Sequence, residues 1–299
     1  MTEYFIDVKG GLGMNISLAR VAQNLIKKGY KISVLSPYWD VFLAAGIDVY
    51  KPEEIRDFIF DAKDRDAKII EHRIYDMSDF IYKRMNYLDA WLKLMELPED
   101  TVTEEEYEHL ELDPVKYFPQ LQEKIDKINK DIGDDYVLMQ FCGGQSPLDV
   151  PQDGDWSKKI YDYQHEPLKR HYPTDKAQAF VDLYLKAHPG RKIVQYALPN
   201  EPLLNGCEHF TVPYLVYYEL AKNAKEAITI DSSLQHLISG LCLVTVIWGH
   251  SLPENFGYEC NNNIIQNCRR DDILYFTALG ASGAKIDYIE PDKLMEYIM

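Results

Sequence analysis

A chain of 299 residues is long for one hydrophobic core, so two domains of ordinary size are expected. With 46% hydrophobic and 27% charged residues it is globular rather than disordered, and no apolar run approaches the length of a membrane span. The formal net charge of −16 argues against a general nucleic-acid or anionic-membrane surface, since phosphate attraction needs clustered Lys and Arg, but it leaves room for one local basic cleft.

Tyr4 to Val8 reads as a short strand, followed by Lys9-Gly10-Gly11-Leu12-Gly13-Met14-Asn15. Ile16 to Lys28 then repeats apolar residues at helical spacing, Gly29 closes that helix, and Lys31 to Leu35 forms a second strand ending at Ser36-Pro37. This is a βαβ unit with a glycine-rich first turn, whose helix N-terminus can face an anion or a polar substrate. It is a poor dinucleotide fingerprint. Ile16 holds the place of the third glycine, and Ser36 stands where an acid should meet the ribose.

Asp40 to Ala45 and Ile47 to Tyr50 continue the pattern. Met77 to Glu96 is expected to be helical, with Phe80, Tyr87, Leu88, Trp91, Leu94 and Met95 forming a core stripe. Pro98 to Asp113 is strongly acidic and reads as a solvated helix or linker. The polar run Asp126 to Asp135 is the expected joint between domains, which places them at residues 1–132 and 133–299.

A second sheet starts at Tyr136 to Phe141 and runs into Cys142-Gly143-Gly144-Gln145. Ser146 to Pro173 is a long irregular stretch of a kind often tied to function. Lys176 to Lys186 reads as helix, Lys192 to Tyr196 as strand, and Tyr214 to Ala224 as helix. The densest segment is Ala227 to Tyr258: a strand ending in Asp231-Ser232-Ser233, a helix, a strand from Leu243 to Trp248, and the loop from Gly249-His250. Alternating strands and helices imply a parallel, helix-covered sheet in each half. The fold class expected is α/β, two Rossmann-like domains with parallel sheets facing across a cleft.

The five cysteines form no CxxC pair and are odd in number. With no N-terminal apolar segment behind basic residues, they point to a reducing, cytoplasmic protein. Ligands of open α/β sheets bind beyond the carboxyl ends of the strands. In the second half those ends supply Gln145, Asn200-Glu201, Asp231-Ser232-Ser233 with His236, and His250. Ser232 and Ser233 either hold phosphate oxygens or cap a helix; His236 either points back to a diphosphate or is an internal histidine. Glu201 can take both hydroxyls of a ribose. Arg170 is either a diphosphate clamp or a surface residue.

These residues carry a resemblance. Asp231-Ser232-Ser233-Leu234-Gln235-His236, then Trp248-Gly249-His250-Ser251-Leu252-Pro253, resemble the donor-binding motif of the heptosyltransferases of glycosyltransferase family 9. Arg170-His171-Tyr172-Pro173 resembles the family's basic-His-aromatic-Pro stretch, and Gln195 to Glu201 its strand-end segment with a ribose-binding glutamate. Gly11-Leu12-Gly13 and Ser36-Pro37 to Phe42 are similar to its first turn and second strand with loop. The resemblance covers most of the chain and implies the GT-B fold. The family's first turn carries an aspartate thought to deprotonate the acceptor; here Met14 and Asn15 occupy that place, and neither is a base.

The resemblance implies a glycosyltransferase that moves a sugar from a nucleotide-diphosphate sugar to a hydroxyl acceptor, a surface saccharide, without metal or cofactor. Alternatives are transfer to a modified base of viral DNA, and a nucleotide-sugar-binding protein without catalysis. Arg170, Glu201, Asp231, Ser232, Ser233, His236 and His250 would bind the donor; Gly11, Gly13, Met14 and Asn15 would line the acceptor side. Asp40 is the nominated base, with Asp76 and Asp79 behind it. GT-B chains often end with a helix that returns to the first domain, and Pro291 to Ile298 is expected to do so.

Overall fold

The computed structural model describes residues 2–143, 172–198, 201–249, 251–268 and 286–298. It divides into two compact units, Met1–Leu121 and Gln122–Met299.

The first unit holds β1 (Glu3–Asp7), α1 (Leu12–Lys27), β2 (Lys31–Leu35), α2 (Trp39–Ala44), β3 (Asp48–Tyr50), α3 (Ile55–Asp64) and β4 (Lys68–Glu71). The strands form one parallel sheet in the order β3-β2-β1-β4. Phe5 of β1, Leu35 of β2, and Phe58 and Ala62 of α3 form one core cluster beneath that helix. Four short helices follow: α4 (Ser78–Tyr82), α5 (Tyr87–Leu94), α6 (Glu104–Glu108) and α7 (Pro114–Tyr117). The helix expected over Met77 to Glu96 is therefore two helices. Arg84 takes a positive φ of 55° between them, and Asn86 caps the second by accepting from Leu88 N–H. The apolar stripe is core, as its spacing implies: Phe80, Tyr87, Leu88, Trp91 and Met95 are buried.

The acidic stretch is not a solvated linker. Val102, Tyr107, Leu110 and Leu112 are buried, and the polar face of α1 grips the backbone of this segment. Arg20 donates to the carbonyl oxygens of Tyr107 and Glu108, Asn24 to that of Glu106 at 2.8 Å, and Gln23 to that of Glu111 at 2.8 Å. The acids themselves point outward, so composition reports only the solvent side of an anchored strap.

The second unit holds β5 (Tyr136–Met139), α9 (Thr174–Ala187), β6 (Lys192–Gln195), β7 (Cys207–His209), α10 (Tyr214–Ala221), β8 (Glu226–Ile230), α11 (Ser233–Ile238), β9 (Leu243–Trp248), α12 (Pro253–Phe256) and β10 (Asn262–Ile265). It is entered by α8 (Gln120–Ile132), so the run read as a linker is helical until Gly133, whose φ of 74° ends it. Six parallel strands follow the order β10-β9-β8-β5-β6-β7. β5 and β8 are buried along their whole length, as strands covered on both faces must be. A two-stranded ribbon, β11 (Asn267–Cys268) with β12 (Ile286–Asp287), precedes α13 (Pro291–Ile298). Leu294 and Met295 of this final helix join the core of the second unit beside Phe141, Tyr172 and Phe180. The expectation of a return to the first domain thus meets a helix whose apolar face is already used within the second.

Candidate functional site

Topology picks out the sites before any side chain is considered. In the second unit the chain runs from β5 outward through β6 and β7, then returns to the other side of β5 as β8. The strand order reverses between β5 and β8, and the crevice at such a switch point is where open α/β sheets take their ligands. In the first unit the same reversal lies between β1 and β4.

At the second unit's switch point the end of β5 is stitched to the start of α11. Gln140 N–H donates to the Ile228 carbonyl at 2.9 Å, and Ile230 N–H to the Gln140 carbonyl at 3.2 Å. The Gln140 side-chain oxygen accepts from the Ser232 hydroxyl, and Thr229 Oγ1 lies 3.3 Å from that same oxygen. Ser232 is also the N-cap of α11, accepting from Leu234 N–H at 3.2 Å. A Cβ added to Gly143 would stand 3.3 Å from the Ser232 Cβ, so glycine lets the β5 loop approach the cap closely. Of the two readings of Ser232, the capping one describes its bonds. Ser233, half-buried, is the more open of the two hydroxyls.

Asp231, Gln235 and His236 are all buried. Gln235 Nε2 donates to Asp231 Oδ1 at 3.1 Å, one turn apart on the same face. His236 Nδ1 lies 2.8 Å from the hydroxyl of Tyr258, which joins the β8 loop to the β9 loop. Tyr258 is set by the turn before it: Gly257 N–H donates to the Pro253 carbonyl at 2.7 Å, closing α12. A Cβ at Gly257 would fall 2.6 Å from that carbonyl oxygen, a backbone atom that cannot swing aside. Gly257→Ala is therefore expected to lower stability by about 2 kcal/mol and to loosen the His236–Tyr258 contact. A thermal midpoint and the hydroxyl-linked NMR signals of His236 would show both.

Glu201 follows β6 and is placed by the strand-end amide Gln195. That amide donates to the Pro202 carbonyl at 2.8 Å and accepts from Leu204 N–H at 2.9 Å. One carboxylate oxygen of Glu201 accepts from Leu198 N–H at 2.8 Å; the other is buried with no partner among the described residues. Desolvation pushes the carboxyl pKa up to about 7, with the Leu198 N–H pulling the other way. The carboxylate is close enough to the β5 end to add to the rise of the Cys142 thiol, which burial pushes up to about 12. That thiol is no nucleophile at neutral pH.

Glu201 thus lies on the carboxyl-end loop of β6 and Asp231 and Ser232 on that of β8, with Ser233 and His236 in the helix α11 that follows. Arg170 and His250 lie outside the described residues. Gln140, Gln235 and Tyr258 are not singled out by the sequence. Gln140 had a signal, a polar residue closing an apolar strand; Ser251, part of the motif quoted above, is buried with no hydrogen-bond partner among the described residues.

In the first unit α1 begins at Leu12, earlier than its apolar periodicity suggests, so Gly13, Met14 and Asn15 lie in its first turn rather than in a loop. Gly11 is the N-cap and offers no side chain. Asn15 instead donates to the Gly11 carbonyl at 2.9 Å and accepts from the Ser36 hydroxyl at 2.6 Å, pinning β1's loop to β2's. Met14 folds over Gly10: a Cβ there would meet its sulfur at 2.5 Å. Asp40 sits half-buried in the first turn of α2 and accepts from Val41 N–H at 3.1 Å. Asp79 is engaged by Lys83 and Lys93, whose charges and hydrogen bonds hold its pKa at about 2; it is a weak base. Asp76 is exposed at the end of the 3₁₀ turn Ile74–Asp76.

No group of three or more metal-ligating side chains forms among the described residues. No protein-family model and no curated protein sequence matches the chain. Solved structures do. A glycosyl transferase family 9 protein from Veillonella parvula is 12% identical, with 99% of this chain and 96% of that one covered at a TM-score of 0.66. The ADP-heptose LPS heptosyltransferase II of E. coli is 12% identical, with 100% and 97% covered, at 0.57. The E. coli heptosyltransferase WaaC, solved with ADP, is 12% identical, with 99% of both chains covered, at 0.55. Over nearly its full length the chain therefore has the GT-B glycosyltransferase fold, matching structures of family 9.

Proposed function

We propose that the chain is a glycosyltransferase whose second unit binds a nucleotide-diphosphate sugar and whose first unit receives a hydroxyl acceptor, a surface saccharide. The observation that carries the reading is Glu201. A buried carboxyl with one oxygen lacking a partner among the described residues is costly to hold, and it stands where a switch-point ligand would supply the missing donors. The two hydroxyls of a ribose match it. Ser233 and the loop donors beyond Asp231 would face the diphosphate, with Arg170 and His250 completing the contacts. WaaC was solved with ADP and with ADP-2-deoxy-2-fluoro heptose, which makes an adenosine diphosphate sugar the first donor to try.

In the transfer, the bond between the sugar's anomeric carbon and the diphosphate oxygen breaks as the acceptor oxygen bonds to that carbon. The acceptor's proton passes to a base, and the leaving diphosphate is met by hydrogen-bond donors. Asp40 is the proposed base. Asp40→Asn is expected to lower kcat by at least about a hundredfold with donor affinity unchanged, and a chelator to leave the rate unaltered. Release of nucleoside diphosphate from candidate nucleotide sugars, with and without saccharide acceptors, measures both. Modified viral DNA as the acceptor is the outcome if only nucleic acid stimulates release.

Met14 supports a second reading, nucleotide-sugar binding without transfer. Its side chain lies over Gly10 where the resembled family places an acid, and no base replaces it in that turn. Donor binding without diphosphate release under any acceptor would decide for it.

A further inference from the structure

Gln235 is fully buried in α11 and uses only half of its amide. Its Nε2 donates to Asp231 Oδ1 at 3.1 Å and to the Phe256 carbonyl at 3.4 Å. Its Oε1 is buried with no partner among the described residues. Turning the amide over would set that oxygen against a carboxylate and a carbonyl, both acceptors, so the neighbours fix the orientation. A buried acceptor left unmet destabilises a fold. A methionine of similar length would fill the space without that penalty, so the side chain is held for its two N–H groups.

Stability does not account for such a residue; position does. Two further atoms of the same kind stand on the neighbouring loops. Glu201 Oε1 after β6 and Ser251 Oγ after β9 are also buried with no partner among the described residues. Unmet buried polar atoms are uncommon in a fold, and they gather where function sets the geometry.

We propose that Gln235 is a positioning residue of the donor site, an inference that rests on reading this site as a nucleotide-sugar pocket. It acts at two points. One contact fixes an oxygen of Asp231, and with it the plane of the carboxylate at the end of β8. The other holds the Phe256 carbonyl, while the next residue, His236, meets Tyr258. Two consecutive residues of α11 thus grip both ends of Phe256-Gly257-Tyr258 and hold the β9 loop to the β8 loop. The helix turn is itself braced. The Gln235 carbonyl accepts from the Ser239 hydroxyl at 2.6 Å, and Asn261 Nδ2 donates to that hydroxyl at 2.9 Å.

The test is calorimetric titration of the full chain with ADP. Gln235→Met is expected to weaken binding about fivefold or more while the thermal midpoint holds within about 4 °C, because removal of the unmet oxygen offsets the lost N–H bonds. Gln235→Glu adds a readout that a merely structural role would not move. Two carboxyls about 3 Å apart cannot both ionise, so the pair keeps a proton that restores the bond at low pH and is lost as pH rises. The ratio of wild-type to Gln235→Glu affinity should therefore grow at least about fivefold from pH 5 to pH 8, whereas the ratio for Gln235→Met should stay flat. The surrounding titratable groups are common to all three proteins and cancel from these ratios: Cys142 and Glu201 at the strand ends, His236 on α11, Glu254 and Tyr258 after β9, and Glu219 with the tyrosines of α10, which packs on α11. Equal ADP affinity in wild type and Gln235→Met, or a flat ratio for Gln235→Glu, overturns the assignment while leaving the donor site standing. If Gln235→Met does not fold, the Gln235→Glu profile decides alone. A wild type that binds none of ADP, GDP and UDP overturns the donor-site reading and this assignment with it.

Discussion

Glu201→Gln is expected to stabilise the protein by about 3 kcal/mol at pH 8 while weakening nucleotide binding at least about tenfold. The stability half follows from burial. The carboxyl's pKa stands near 7 in the folded chain against an ordinary value of 4.5, so folding favours its protonated form. Below about pH 4.5 the group is protonated in both states and contributes no difference. As pH rises through the window to about 7 the unfolded chain sheds the proton first, and the folded state loses stability. Glutamine carries no charge to bury and escapes this loss. Chemical denaturation of both proteins should therefore give coincident curves near pH 4 and a gap that opens by pH 8. A gap that does not change with pH would show that Glu201 is not desolvated.

The binding half runs opposite. Ribose hydroxyls donate to an ionised carboxylate more strongly than to a neutral amide. Wild-type affinity for ADP should rise between pH 5 and 8, and the glutamine variant should show a flat profile. An opposing pair of signs from one substitution separates a ligand group from a structural one.

Arg20→Ala is expected to cost about 3–5 kcal/mol. Arg20 is fully buried and donates to two backbone carbonyls of the 98–113 strap, 87 and 88 residues away in sequence. Truncation removes these two hydrogen bonds and leaves a void beside α1. Arg20→Lys should recover only part of the loss, because an ammonium on a flexible stem cannot reproduce the planar fork. With two units the unfolding need not be two-state, so the informative readout is local. Limited proteolysis should cut within residues 98–113 in the variant well before the second unit opens.

That strap marks where sequence reading stops. PEDTVTEEEYEHLELD advertises its acids, and a charge run is usually a solvated face. Its buried residues, Val102, Tyr107, Leu110 and Leu112, are too sparse to read as a periodic element. What holds them is the polar face of α1, and Arg20, Gln23 and Asn24 in a helix look like surface until their partners are known. The same asymmetry governs the start of α1. Gly11 to Met14 carries no apolar period, so periodicity predicts a helix from Ile16, whereas the turn is made by Asn15 reaching Gly11 and Ser36. The edge strand β4 is four residues long, beneath the length at which alternation is convincing.

Much else was local and therefore legible. The βαβ openings of both units, the apolar strands β5, β8 and β9, and the polar residues closing them all follow from period and strand-end chemistry within a few residues. These alone imply two parallel sheets and place Glu201, Asp231 and Ser232 at carboxyl-end loops, with Ser233 and His236 in the helix that follows. Which hydroxyl caps α11, that Gln140 holds it, and that His236 meets Tyr258 depend on partners 22 to 92 residues distant. Glu201 lay on the predicted loop, but its burial with an oxygen left over was decided by how the β5 and β6 ends pack. Sequence set the elements because hydrophobic period acts along the chain; tertiary structure alone set the site's electrostatics, because desolvation and hydrogen bonding act across it.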